Sequence, residues 1–280
     1  MKAELFRQAA HELAEGPVWH EGCLWWVDLE AGGLHNSQGQ SYRAPHSIGA
    51  ALPCSSGRWL LAEEGGFSFW HLRGGAPQRF WTRPERSPKY RFNDATVAPD
   101  GTVVAGSLQR GTLEGDCSYY ELSESLKVEV VRSGVGLCNG IDWDVASGCI
   151  YFTDTGAQAI YRCPIGQWDQ AEVFASFEEG YPDGLCVDTE GNVWVALWGA
   201  GRVVCIEASG ERILHRVEVP VPNVSSCCFG GAEMDTLYIT TAREGISLEQ
   251  LRESPLSGSI FACQTSKRGV PTRVFNDTGK

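Results

Sequence analysis

No stretch of the 280 residues is long and apolar enough to span a bilayer, and the opening Met1-Lys2-Ala3-Glu4-Leu5-Phe6-Arg7 has no leader-like apolar run. A strong basic stripe is also missing. The chain has 23 Lys and Arg against 35 Asp and Glu, a net charge of −12, which argues against nucleic acid or an anionic membrane as partner. The 11 cysteines, an odd count, contain no C-x-x-C and no zinc-finger spacing, so reduced thiols in a cytoplasmic protein are expected. There is no G-x-S-x-G elbow, and the six histidines show no H-x-x-x-H spacing, so neither a serine hydrolase nor a His-ligated zinc protease is indicated. No linker, low-complexity tract or composition shift divides the sequence, so residues 1–280 read as one domain, and 42% hydrophobic residues with ten Trp are ample for its core.

What the sequence does have is a repeat. A tight turn followed by a short apolar strand recurs six times, at His20-Glu21-Gly22, Ser55-Ser56-Gly57, Pro99-Asp100-Gly101, Ala146-Ser147-Gly148, Glu190-Gly191-Asn192 and Glu233-Met234-Asp235. The copies are about 45 residues apart, the size of one four-stranded propeller blade. A single copy cannot bury both faces of its sheet. The expectation is therefore an all-β fold, a six-bladed β-propeller with four-stranded antiparallel blades around a central channel. A β-sandwich with regular turns is the alternative, but it leaves a repeated polar position unexplained. The segment from Leu5 to Leu13 is a candidate outer strand for the last blade, which would close the ring, or else a short helix.

That polar position stands at the start of the first strand of most copies, at the end of the strand away from the turn. It reads Glu15 in Ala14-Glu15-Gly16-Pro17, Ile48 in Ser47-Ile48-Gly49, Asn93 in Arg91-Phe92-Asn93-Asp94, Asn139 in Cys138-Asn139-Gly140, Asp183 in Pro182-Asp183-Gly184, and Ser226 in the last copy. Taken singly, each is an ordinary turn or surface residue. In a propeller the first strand of every blade lines the channel, so equivalent positions converge on one mouth. Two carboxylates and two amides gathered there form a hard-oxygen site for a divalent cation, either a structural calcium plug or an open site for water and substrate. Arg91 lies two residues from Asn93 and so faces the same side of its strand. Asp154 is a possible neighbour of the same face, Glu63-Glu64 reads as a turn or a solvated strand end, and the loop from Arg83 to Tyr90 is a possible partial cover.

These motifs, with Cys227-Cys228-Phe229-Gly230-Gly231 and Thr240-Thr241-Ala242-Arg243, resemble the senescence marker protein / gluconolactonase (regucalcin-like) family over almost the whole chain. The likeness is to its bacterial sugar-acid lactonases in particular. The resemblance implies that Glu15, Asn139 and Asp183 bind one metal ion (calcium, zinc, manganese or ferrous iron) and that Arg91 and Asn93 contact substrate. It also implies hydrolysis of an aldonolactone, with Asp183 as candidate general base, by a monomer or small homo-oligomer. Some animal members carry a substrate-contacting Glu where this chain has Gly111 with Arg110 beside it; a loop shift would let Glu114 stand in, and the role is not carried over to it. A metal-dependent esterase or organophosphate hydrolase, and a non-catalytic calcium-binding propeller, remain open alternatives.

Overall fold

The structure is a computed structural model describing residues 1–84 and 87–278. Six four-stranded antiparallel sheets form the blades of a propeller. Their innermost strands are Ala14–His20, Ile48–Pro53, Tyr90–Val97, Cys138–Asp144, Tyr181–Val187 and Val224–Gly230, which define blades 1 to 6. All six run in the same sense, so their early residues share one mouth of the channel and their late residues the other. Among the described residues no helix is long and apolar enough to cross a membrane.

Packing between blades explains why the inner strands lack a clean polar alternation. Each blade is covered on both faces by its neighbours, so the second strand of blade 5, Val193–Trp198, is buried along nearly all its length. Its outermost strand, Ile213–Glu218, is largely exposed. The turns recognised in the sequence are confirmed by their glycines: Gly22, Gly57, Gly101, Gly148 and Gly191 have φ between 71° and 87°. In blade 6 the turn holds two left-handed residues, Gly231 (φ 86°) and Met234 (φ 55°), the second standing one before the Asp235 that spacing selects.

Ring closure is as the sequence suggests, with tighter bounds. Glu4–Arg7 is a strand that pairs antiparallel with Ile260–Gln264 and becomes the outer strand of blade 6. Residues before it reach blade 5, where Ala3 N donates to Glu218 O at 2.9 Å. Two features have no sequence forecast. A short helix, Leu248–Glu253, starts in a capping box formed by Ser247 and Gln250. Beyond the last strand, the C-terminal tail crosses the far mouth of the channel. Its Arg268 O accepts from Thr189 N at 2.8 Å, Arg273 Nη1 reaches Asp142 Oδ1 at 3.2 Å, and Phe275 N donates to Pro53 O at 2.9 Å. Glu63 also departs from expectation: it is 2% exposed and takes hydrogen bonds from Arg79 and Ser68, so it is a buried, paired acid. Of the Arg83–Tyr90 loop, Glu85 and Arg86 lie outside the described residues.

The tail's end is fixed by Asp277, whose fully buried carboxylate meets Arg58 Nη2 at 2.7 Å and accepts from Ser56. Removing Arg58 strands that charge, since burial of an unpaired ion costs far more than the pair contributes. Arg58→Ala should lower unfolding free energy by about 2–4 kcal/mol in urea titration. An unchanged midpoint would show that the tail is not fastened there.

Candidate metal centre and active site

The polar positions sit where the first two strands of each blade fall out of register. In blade 4 the pairing skips Asn139 and Gly140, in blade 5 Asp183 and Gly184, in blade 3 Asn93, and in blade 1 the two residues after Glu15. A β-bulge of this kind re-aims a side chain out of the strand's ordinary alternation. In blade 6 the unpaired residue is Ser225, one before the Ser226 chosen by spacing, and its hydroxyl is spent on Ala14 O and Thr240. The glycines that follow the polar residues are there for close approach. A Cβ on Gly140 would lie 2.3 Å from Leu185 N, and one on Gly184 would lie 2.8 Å from Ser226 Cα.

Glu15, Arg91, Asn93, Asn139 and Asp183 all line one cavity of about 590 Å³ at the channel mouth. Each is a charged or amide residue with no more than 6% exposure. The amide of Asn139 is oriented by Thr155: Asn139 Nδ2 donates to Thr155 Oγ1 at 3.2 Å, and that hydroxyl donates to Pro182 O at 2.8 Å. Tyr119 secures the bulge itself, accepting from Asn139 N at 3.2 Å and donating to Thr153 O at 2.8 Å. Among the described residues Asn139 Oδ1 is buried with no hydrogen-bond partner, and so is Asp183 Oδ1. Among them, too, Glu15 accepts only the N–H of its own neighbour, Gly16, at 3.0 Å.

Two buried oxygens with no partner among the described residues, beside a carboxylate held by one N–H, are costly unless a ligand satisfies them. The electrostatics agree. Burial first, then the Asp183 and Asp94 carboxylates, push the carboxyl of Glu15 well above its ordinary range. Asp183 is pushed up in the same way by burial, Asp94 and Glu244. Arg91 does not neutralise them, because its Nε is held by Glu30 Oε1 at 2.9 Å and its Nη1 by Phe92 O and Asn93 Oδ1. Two carboxylates and an amide oxygen suit a hard divalent cation, and these residues fit one.

Around this centre are groups that sequence reasoning passed over. Tyr181 and Trp198, paired across the first two strands of blade 5, form an aromatic wall with Leu13 and Pro222 nearby. Tyr181 is two residues before Asp183, so alternation along the strand could have found it. Glu244 also lines the cavity, from a loop with no periodic signal. Asp154 is not part of the lining; it accepts from the backbone of Gly136 and Leu137, and its neighbour Thr155 faces the site instead. Glu114 lines neither this cavity nor the lobe beside it.

A second group, His11, Asp28 and His35, brings ligand-type atoms within 4.8 Å of one another. It is a hydrogen-bond chain rather than a metal centre. Trp26 Nε1 donates to His11 Nε2 at 3.1 Å, which keeps the proton on Nδ1, facing Asp28 Oδ2 at 3.1 Å. A cation on Nδ1 would move that proton to Nε2, against the N–H of the buried Trp26.

With this geometry in view, residues 13–243 match the family described as the SMP-30/Gluconolactonase/LRE-like region. The chain belongs to that family. It is 34% identical to pentonolactonase XacC of Haloferax volcanii, over 82% of this chain and 81% of that protein. It is 31% identical to regucalcin of Danio rerio, over 97% of both chains. The crystal structure of a calcium-binding protein, regucalcin from Agrobacterium tumefaciens, superposes with a TM-score of 0.91 over 99% of this chain and 97% of that one, at 24% identity. That likeness is one of fold.

Raised carboxyl pKa values carry a sign for stability. A group that binds its proton more tightly when folded favours the folded state at low pH, and this contribution is lost as pH rises through the folded value. Glu15 and Asp183 are raised, and burial lifts Asp94 to about 7. Chelator-treated protein should therefore melt at a lower temperature at about pH 8 than at about pH 5, and added divalent cation should narrow the gap. Equal melting temperatures with and without cation at the higher pH would remove the metal from this site.

Proposed function

We propose that this protein hydrolyses a sugar lactone to the corresponding aldonic acid, using one divalent cation held by Glu15, Asn139 and Asp183. The observation that carries the reading is the set of buried side-chain oxygens contributed by three different blades, two of them without any hydrogen-bond partner, on the floor of a polar and aromatic cavity. The family relatives named for lactone hydrolysis, XacC among them, support the reaction class.

A cation bound here would polarise the lactone carbonyl and lower the pKa of the attacking water. The remaining chemistry falls to the chain. Asp183 accepts the proton of the water whose oxygen bonds to the carbonyl carbon. Asn93 has both ends of its amide engaged, with Nδ2 donating to Cys138 O at 3.0 Å, yet keeps a second Nδ2 hydrogen for substrate. Both Asn93 and Arg91 line the cavity, and would orient the sugar hydroxyls or the oxygen on which charge develops. The ring C–O bond then breaks, and the ring oxygen takes back the proton held by Asp183 and leaves as a hydroxyl, which restores the carboxylate. Tyr181 and Trp198 offer flat apolar surface to the C–H face of a sugar ring.

Asp183→Asn keeps the side chain's shape and removes the base. Turnover of aldonolactones, followed by acid release, should fall by about a hundredfold or more. The chelator-treated variant should melt no lower than the wild type, because a repulsive carboxylate is gone. A folded variant with the wild-type rate would take Asp183 out of the reaction. Activity that survives complete metal removal would do the same for the cation.

A further inference from the structure

The cavity over the metal centre opens into a second lobe of about 580 Å³, lined by Glu30, Gln109, Arg110, Gly111 and Thr112. Arg91, Leu108, Leu113, Leu137 and Glu244 line both lobes, so the two form one continuous groove. A sugar lactone whose carbonyl sits at Glu15 and Asp183 would extend its far end toward this lobe. The charged groups there decide what that end can be.

Both cations of the groove are largely committed. Arg91 is held by Glu30 and by its own strand. Arg110 donates through Nη1 to Pro88 O at 2.8 Å, and through Nη2 to Glu30 Oε2 at 3.0 Å and Ser47 Oγ at 3.1 Å. Glu30 is committed in turn, and the two guanidiniums outweigh its burial to hold its carboxyl below the ordinary range. Glu244 is different. Its side chain has no hydrogen bond among the described residues, yet its backbone is fixed. Glu244 N donates to Glu12 O at 2.9 Å, Glu244 O accepts from Asn223 Nδ2 at 2.9 Å, and Ile246 N closes the turn onto Arg243 O at 3.0 Å. A rigid turn thus presents a carboxylate with free acceptor capacity to both lobes.

We propose that Glu244 binds hydroxyl groups of the substrate and makes the site select uncharged polyhydroxylated lactones over those carrying an anionic group at the far end. This rests on the lactonase reading. Hydroxyl donors satisfy the carboxylate, whereas a phosphate or carboxylate would face it beside two guanidiniums whose charge is already shared with Glu30 and Glu244. The four carboxylates lining the groove, Glu15, Asp183, Glu30 and Glu244, are balanced by Arg91, Arg110 and a divalent ion, which leaves no positive charge for the substrate.

The test compares kcat/KM for glucono-1,5-lactone and its 6-phosphate in the metal-loaded wild type, Glu244→Gln and Glu244→Asp. The wild type should prefer the neutral lactone. Glu244→Gln should shrink that preference by about tenfold, chiefly through KM, while Glu244→Asp largely keeps it. Equal rates on both lactones, or a preference unmoved by Glu244→Gln, would overturn the assignment while leaving lactone hydrolysis standing. If the wild type hydrolyses neither, the lactonase reading fails, and the charge preference is read by calorimetry with glucitol and glucitol 6-phosphate. Tighter binding of glucitol that is weakened by Glu244→Gln supports the role of Glu244, and any other order overturns it.

Discussion

Two carboxylates, Glu15 and Asp183, are held together at the mouth of the channel, and the nearby Arg91 offsets their burial and mutual repulsion only in part. Such an arrangement opposes folding, so it persists only because the surrounding ring over-determines it. Bulges in blades 1, 4 and 5 aim the side chains inward, and glycines let neighbouring strands approach closely enough to bring them within range. The ring in turn needs closure. The strand Glu4–Arg7 at one edge and the C-terminal tail across the far mouth supply it.

The far end of the same channel shows what a structural acid looks like in this fold. Asp142 is half-buried, and Arg273 reaches its Oδ1 at 3.2 Å, while the N–H groups of Trp143 and Val187 donate to it at 2.9 and 2.8 Å. Asp188 is similarly saturated by the turn it organises, accepting from Glu190, Asn192 and Trp194. Glu63 pairs with Arg79 through Oε1, although its Oε2 is buried without a partner among the described residues, and Asp277 has Arg58. Against these, Glu15 and Asp183 have no ion-pair partner among the described residues. Buried acids that stabilise a fold are paired, and buried acids that wait for a ligand are not.

The ring was legible in the sequence because its signal is repeated: six turns, each needing a residue that tolerates positive φ, set the period, and Gly occupies five of them. Glu15, Asn93, Asn139 and Asp183 were legible for the same reason, since equivalent places in successive blades must converge. Where the repeat bends, reading by spacing slips by one residue. Met234 rather than Asp235 takes the left-handed position, and Ser225 rather than Ser226 is unpaired, because a bulge shifts the count without changing the motif. Contacts between distant segments leave no period at all. The tail across the far mouth, the helix at Leu248–Glu253 and the burial of Glu63 beside Arg79 belong to that class.

Thr155 and Glu244 show how function is distributed beyond the repeat. The threonine turns an amide so that its oxygen, not its nitrogen, faces the centre, a choice that the Asn-Gly motif alone does not make. Glu244 stands in the connection after the second strand of blade 6, the turn that also receives the chain as it enters blade 1. The same closure that makes the ring stable therefore fixes the backbone beside the convergent oxygens. Substitutions in such a loop alter what lines the groove while leaving those oxygens where the blades put them. A fold that keeps its convergent polar positions on bulged inner strands and other groove-lining positions on the connecting loops can vary the second without rebuilding the first.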